Sequence, residues 1–173
     1  MDAKNQFAKL QRIRNGGNVK RYHTIPIIRE QSNAAHSWGV AVLFDQLWGV
    51  KSMNGVRASL YHDCAEYVTG DIPAPIKRSS KNVKEAINEV EHKFNTELGI
   101  TVDLNKEDQV KVKFCDCLEG ALFCLEELEM GNKMIINVFG KYMEYLREQI
   151  SEHKQLKEVE WTVEQLTKEA ARL

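Results

Sequence analysis

The chain has 173 residues, 43% of them apolar and 28% charged, which suits a globular protein with a substantial core. Its 24 basic and 25 acidic residues leave a net charge of −1, so no electrostatic footprint points to a nucleic-acid polymer or an anionic membrane surface. Residues 1–14 are too polar for a signal peptide, and no apolar run approaches the roughly 18 residues of a membrane span, so the chain reads as cytoplasmic.

Proline occurs only at 26, 73 and 75, and no alternating strands flank a hairpin turn. The expected fold class is therefore all-α, a single helical bundle over residues 1–173. A helix is predicted over 3–15, with Phe7, Leu10 and Ile13 inward and Asn15-Gly16-Gly17-Asn18 ending it. Residues 19–32 form a long connection rich in aromatic and branched groups, and such a connection inside a compact domain is often functional. A second helix over 33–49, capped by Ser32 or Asn33, puts His36, Val40, Leu43 and Leu47 on one inward stripe. Trp38 and Trp48 read as packing residues. A third helix over 54–66 runs through Tyr61-His62-Asp63-Cys64-Ala65-Glu66, placing His62 and Glu66 one turn apart.

A loop from Thr69 to Pro75 and a short turn over 76–80 follow. Residues 82–98 are amphipathic through Val83, Ile87, Val90 and Phe94. The long helix predicted over 105–130 carries Val112, Cys115, Leu118, Leu122 and Leu125 on its core side. Helices over 132–153 and 162–173 complete the chain. Tyr142, Tyr145 and Trp161 in that last third offer aromatic surface for packing or for a homo-oligomer. Cys64, Cys115, Cys117 and Cys124 lack zinc-finger spacing and read as free core thiols, with 115 and 117 on different faces.

Three features carry chemistry. A neighbouring histidine and aspartate, His62-Asp63, can offer one imidazole nitrogen and one carboxylate oxygen to a single cation, ligation that suits Zn, Mn, Fe, Co or Ni. The same dipeptide also fits a helix end with a solvated aspartate. His36 on the buried stripe fits a ligand or a hydrogen-bonded core histidine. Asp116 lies among Phe114, Cys115, Cys117 and Leu118, where a carboxylate is costly unless paired, metal-bound or turned to solvent.

His36…His62-Asp63…Asp116 resembles the H…HD…D pattern of the HD-domain metal-dependent phosphohydrolases. The run from Leu60 to Lys77 is similar to the YHDxxE…TGDxPxPxK block of bacterial HD-family 5′-deoxynucleotidases. Arg21-Tyr22-His23 and Ala35-His36-Ser37 resemble their upstream segments, with Ala35 where that family usually has Glu. In size, layout and the Arg21-Tyr22-His23-Thr24 segment the chain also resembles the small phage dATP triphosphohydrolases. The resemblance covers residues 19 to about 120 and implies an HD helical bundle. It implies a divalent metal (Co²⁺, Mn²⁺, Zn²⁺ or Mg²⁺) on His36, His62, Asp63 and Asp116. Glu66 is expected to orient or deprotonate the attacking water, and Asp71 to act as a second catalytic acid near the leaving 5′ oxygen or a further metal. Arg21 and Lys77 match positions that meet phosphate, and Tyr22, Thr24 and Pro75 positions that line the nucleoside. Lys81, with Arg78, is added as a cation for a longer polyphosphate.

The implied reaction cleaves the 5′ phosphate ester of a 2′-deoxynucleotide. The expected version converts dATP to deoxyadenosine and triphosphate, in a host cytoplasm if the chain is of phage origin. The alternative is a 5′-deoxynucleotidase acting on monophosphates. An alarmone hydrolase has only Glu107-Asp108 in its favour. A catalytically dead sensing module is opposed by the intact ligand set with Glu66.

Overall fold

The computed structural model describes residues 2–49 and 52–173. Over these the chain forms α1 (Ala3–Gly16), α2 (Asn33–Trp48), α3 (Met53–Tyr61), α4 (Glu66–Thr69), α5 (Ala74–Lys77), α6 (Lys81–Leu98), α7 (Lys106–Glu129), α8 (Ile136–Glu152) and α9 (Glu160–Ala170). Single 3₁₀ segments, Lys133–Ile135 and Lys154–Val159, lead into α8 and α9. Among the described residues there is no strand, only an isolated antiparallel bridge between Lys20 and Ser32. The caps follow from the sequence: Ser32, Ser80 and Asn105 accept from the backbone N–H of Ala35, Val83 and Asp108, satisfying donors that a helix start leaves free.

The 24-residue α7 is apolar on more than one face because helices pack on both sides of it. Val112 and Cys115 meet Val40 and Phe44 of α2. Phe114, Leu118, Ala121 and Leu125 join Phe139, Met143 and Leu146 of α8 and Val163 and Leu166 of α9. Burying each such large side chain contributes about 1.5–3 kcal/mol, so α7 is the axis of the core. Cys115 and Cys117 fall in separate clusters, as their spacing predicts, and all four cysteines are buried and free. Helix α3 crosses α2 closely because position 55 is glycine: a Cβ there would lie 2.1 Å from Phe44 Cζ.

Several expectations are corrected. Phe7 and Leu10 are exposed, because α1 packs through its C-terminal end, where Ile13 joins Cys64, Leu98 and Ile100. Trp38 is 66% exposed; it points away from α7, whereas Trp48 is packed against Phe44 and Phe114. Tyr142 turns inward to share a hydroxyl hydrogen bond with Tyr22, so Trp161 is the most exposed of the three aromatics predicted as surface. The predicted helix over 54–66 stops at Tyr61, and the predicted 69–75 loop and 76–80 turn are interrupted by α5. No helix among the described residues is long and apolar enough to cross a membrane.

Candidate metal centre and active site

Three helices converge on one point. Helix α2 brings His36, fully buried; the end of α3 brings His62 and Asp63; the middle of α7 brings Asp116. The break after Tyr61 has a local cause. His62 Nδ1–H donates to the Ser59 carbonyl at 2.7 Å, competing for an acceptor near the helix end. The following turns close by shorter bonds, Cys64 N–H to Tyr61 O at 3.0 Å and Glu66 N–H to Asp63 O at 3.1 Å. The tight turn keeps His62, Asp63 and Glu66 on one side.

The donor atoms nearly touch. His36 Nε2 lies 3.2 Å from His62 Nε2 and 3.1 Å from Asp116 Oδ1. Asp63 Oδ2 lies 3.2 Å from His62 Nε2 and 3.8 Å from His36 Nε2. The tautomers are dictated by what the other nitrogens meet. A carbonyl can only accept, so His62 carries its proton on Nδ1; His36 Nδ1 faces the Glu119 carboxylate, which also only accepts. Both Nε2 lone pairs therefore point into the same small space beside two carboxylates. Two lone pairs at that distance repel unless a positive charge lies between them, and this donor set fits a divalent metal. His36, His62 and Asp116 offer one donor atom each within 4.8 Å of one another, so these three could hold the ion. Asp63 is within reach of both imidazoles but also takes Arg21 Nη1 at 2.7 Å.

The electrostatics agree with a cation site. Burial alone would lower the His62 imidazolium, yet Asp63 and Asp116 outweigh it and hold a proton on Nε2 up to about 9 when no metal is bound; that proton is the positive charge a metal ion would replace. Burial pushes the other way on the acids, but His62 and Arg21 hold Asp63 well below the usual carboxylate range. Lys113 and both histidines do the same for Asp116. Glu66 is different. It is buried, and burial together with Asp63 raises its carboxyl to about 7, against the pull of Asn33 and Lys77. A buried carboxyl poised near neutrality is the state a general base needs.

The remaining predicted residues divide. Arg21, with its Nε buried and unpartnered, is joined to the cluster through Asp63. Lys77 Nζ sits 3.5 Å from Glu66 Oε1 and 3.4 Å from Glu91 Oε1. Asp71 Oδ2 accepts from Tyr22 N–H at 3.3 Å and lies 3.8 Å from His23 Nδ1. Tyr22 adopts φ +57° and stacks its ring on Phe123, centroids 4.8 Å apart, so its ring is core rather than open pocket wall. Thr24 and Pro75 are exposed. Lys81 faces solvent: its side chain is 85% exposed and pairs with Glu85 along α6.

Four residues were missed. Asn33, read only as a possible cap, is buried and donates to Glu66 Oε2 at 2.8 Å and to the Asp63 carbonyl at 3.3 Å. Glu119 meets His36, Gln31 donates to Glu119 Oε1 at 2.8 Å, and Lys113 Nζ lies 2.5 Å from Asp116 Oδ2. The spacing of Lys113, Asp116 and Glu119, three apart on α7, was the available signal that they share a face.

Comparison with known proteins places this geometry. A family model described as 5′-deoxynucleotidase YfbR-like matches residues 5–105, more than half of the chain. A 5′-deoxynucleotidase YfbR from Salmonella typhi is 29% identical over 150 residues, covering 73% of this chain and 74% of that protein. Among solved structures, the cyanophage S-2L HD phosphohydrolase DatZ, bound to dA and one catalytic Zn²⁺ ion, superposes with a TM-score of 0.70. It is 23% identical, over 97% of this chain and 98% of that one. An HD-domain phosphohydrolase from Listeria innocua gives a TM-score of 0.67 at 19% identity, over 96% of this chain and 99% of that one. The two structures establish the HD phosphohydrolase fold for the chain.

Proposed function

We propose that the chain, which belongs to the 5′-deoxynucleotidase YfbR-like family of HD phosphohydrolases, hydrolyses the 5′ phosphate ester of 2′-deoxynucleoside monophosphates. His36, His62 and Asp116, with Asp63, would hold a divalent metal, which when bound would supply a nucleophilic water at neutral pH and neutralise phosphoryl oxygens. Arg21 binds the phosphate through the free edge of its guanidinium, held in place by Asp63. Glu66 takes the proton of the attacking water, with Asn33 fixing its Oε2 and Lys77 near its Oε1. Asp71 stands by the leaving 5′ oxygen, oriented by the backbone N–H of Tyr22. The helices from α8 onward complete the core behind α7, and the whole chain acts as one HD domain.

What carries the monophosphate reading is where the cations go. Arg21 and Lys77 are each already opposite a carboxylate, and Lys81 faces solvent beside Glu85. A triphosphate tail would bring roughly three further negative charges and needs cations to spare. The dATP triphosphohydrolase reading is favoured by Lys113, whose half-exposed side chain could leave Asp116 for a β- or γ-phosphate, and by Arg78, exposed and near enough for its charge to act on Cys117 beside Asp116.

A panel of dNMPs, NMPs and dNTPs with Co²⁺, Mn²⁺, Zn²⁺ or Mg²⁺, resolved for phosphate against triphosphate, tests this. Inorganic phosphate from dAMP is expected. Intact triphosphate from dATP, with dAMP untouched, would replace the proposal by the second reading.

A further inference from the structure

We propose that Glu119 is the positioning residue of the metal centre: it locks His36 in the Nδ1–H tautomer and so turns the Nε2 lone pair toward the cation. This rests on His36 being a ligand. Helix α7 addresses both nitrogens of this one imidazole. Asp116 Oδ1 lies 3.1 Å from Nε2, and Glu119, one turn further along, takes Nδ1–H on the opposite edge of the ring. The ring itself is wholly buried, so solvent offers Nδ1 no other partner.

Three further observations show a seat built for this carboxylate. Its second oxygen, Oε1, accepts Gln31 Nε2–H at 2.8 Å, and Gln31 is itself buried. Position 39, one turn beyond His36 on α2, is glycine, and a Cβ there would lie 2.8 Å from Glu119 Cγ; α2 is bare where Glu119 crosses it. The residue before His36 is Ala35, exposed and without a carboxylate, so it offers the buried ring no acceptor. Gln31 adds a link to the phosphate side, since its carbonyl accepts the Arg21 backbone N–H at 2.9 Å.

An imidazole with no acceptor at Nδ1 can place its proton on either nitrogen, and an Nε2–H form cannot bind the metal through Nε2. Glu119→Ala should shift His36 toward the Nε2–H tautomer, seen by ¹⁵N NMR of the metal-free protein above the imidazole range. It should weaken Co²⁺ binding, measured by competition with a chelator, by about 10–100-fold. Glu119→Gln should keep the Nδ1–H tautomer, because its amide oxygen still accepts. Gln31 Oε1, buried without a partner, can turn to take the new amide N–H. Its Co²⁺ affinity should fall by less than that of the alanine variant yet measurably, since the acceptor is no longer anionic.

Parent-like tautomer and affinity in Glu119→Ala overturn the inference. Should that variant fail to fold, Glu119→Gln decides: parent affinity, or loss of the Nδ1–H form, overturns it equally. A parent protein that binds no Co²⁺ overturns the metal reading itself, and that result is distinct because it appears before any substitution.

Discussion

Gly16→Ala sets two ordinary rules against each other at the last residue of α1. Inside a helix alanine is favoured over glycine by about 1 kcal/mol, so propensity alone predicts a more stable protein. The structure predicts the reverse. A Cβ at position 16 would lie 2.6 Å from the Cys64 carbonyl oxygen and 2.9 Å from Cys64 Cα, far inside the 3.4 Å of ordinary contact. Two of the clashing atoms are backbone and cannot rotate away, so the whole His62–Ala65 turn must shift. Overpacking of this kind costs about 1–3 kcal/mol, which outweighs a propensity gain already reduced at a helix end. We expect a net loss of about 1–2 kcal/mol and a fall in Tm of about 2–8 °C. Because the displaced turn carries His62 and Asp63, Co²⁺ affinity should fall as well, more than the stability loss alone explains. Gly140→Ala is the control: a Cβ there meets nothing within 4 Å, and propensity alone should raise its Tm. Thermal melts with and without metal, beside a Co²⁺ titration, measure both effects. If Gly16→Ala melts at or above the parent temperature and binds Co²⁺ equally well, the contact with Cys64 does not fix the turn.

Glu127, fully buried, accepts from the backbone N–H of Ile28 at 2.7 Å and of Arg29 at 2.8 Å, and from Asn132 Nδ2 at 2.8 Å, anchoring the 19–32 segment. Glu127→Gln points an amide donor at one of those donors and should lower stability by about 2 kcal/mol in urea at neutral pH. Burial raises this carboxyl but the three donors outweigh it and hold it below its ordinary value. Its contribution is therefore present above the ordinary carboxylate pKa of about 4.3 and is lost as pH falls through the lower folded value, so parent and variant should converge in acid. Glu66→Ala should retain bound metal by elemental analysis yet lose about 10²–10⁴-fold in turnover, and near-parent turnover would make Glu66 structural. Lys81→Ala should leave dAMP and dATP turnover alike unchanged, while Arg21→Ala should cost about 10–100-fold in kcat/KM; an effect of Lys81 confined to dATP would revive it as a tail-binding cation.

Elements whose residues repeat at helical spacing were legible in the sequence. The Val112 to Leu125 pattern placed α7, and Ser32 and Asn105 marked helix starts within a residue. The clustering of His36, His62-Asp63 and Asp116 was legible only through a resemblance, because they come from three helices and no spacing links them. Groups that support those residues were not legible. Glu119 and Asn33 look like ordinary surface and cap residues until α2, α3 and α7 are packed together. Lys81 shows that nearness in sequence to Lys77 does not carry a side chain along: α6 starts at that point and turns it to solvent beside Glu85. Phe7 and Leu10 follow a helical stripe correctly, but a stripe shows only which face is apolar, not whether a partner covers it.

The four buried thiols make the protein its own reporter of local opening. Burial pushes every one of them up, Cys117 and Cys124 to about 12, so in the closed state almost no thiolate exists to react. An alkylating reagent then counts excursions in which a helix lifts away rather than any property of the folded surface. Cys115 is packed against α2, and Cys117 and Cys124 share the cluster of α8 and α9, so between them they report opening of either side of α7. Cys64 lies apart, beneath the end of α1, and its sulfhydryl donates to the Ile13 carbonyl at 3.3 Å. Fraying of α1 alone exposes it. The ratio of its labelling rate to that of the other three measures how far the turn bearing His62 and Asp63 loosens independently of the core behind it.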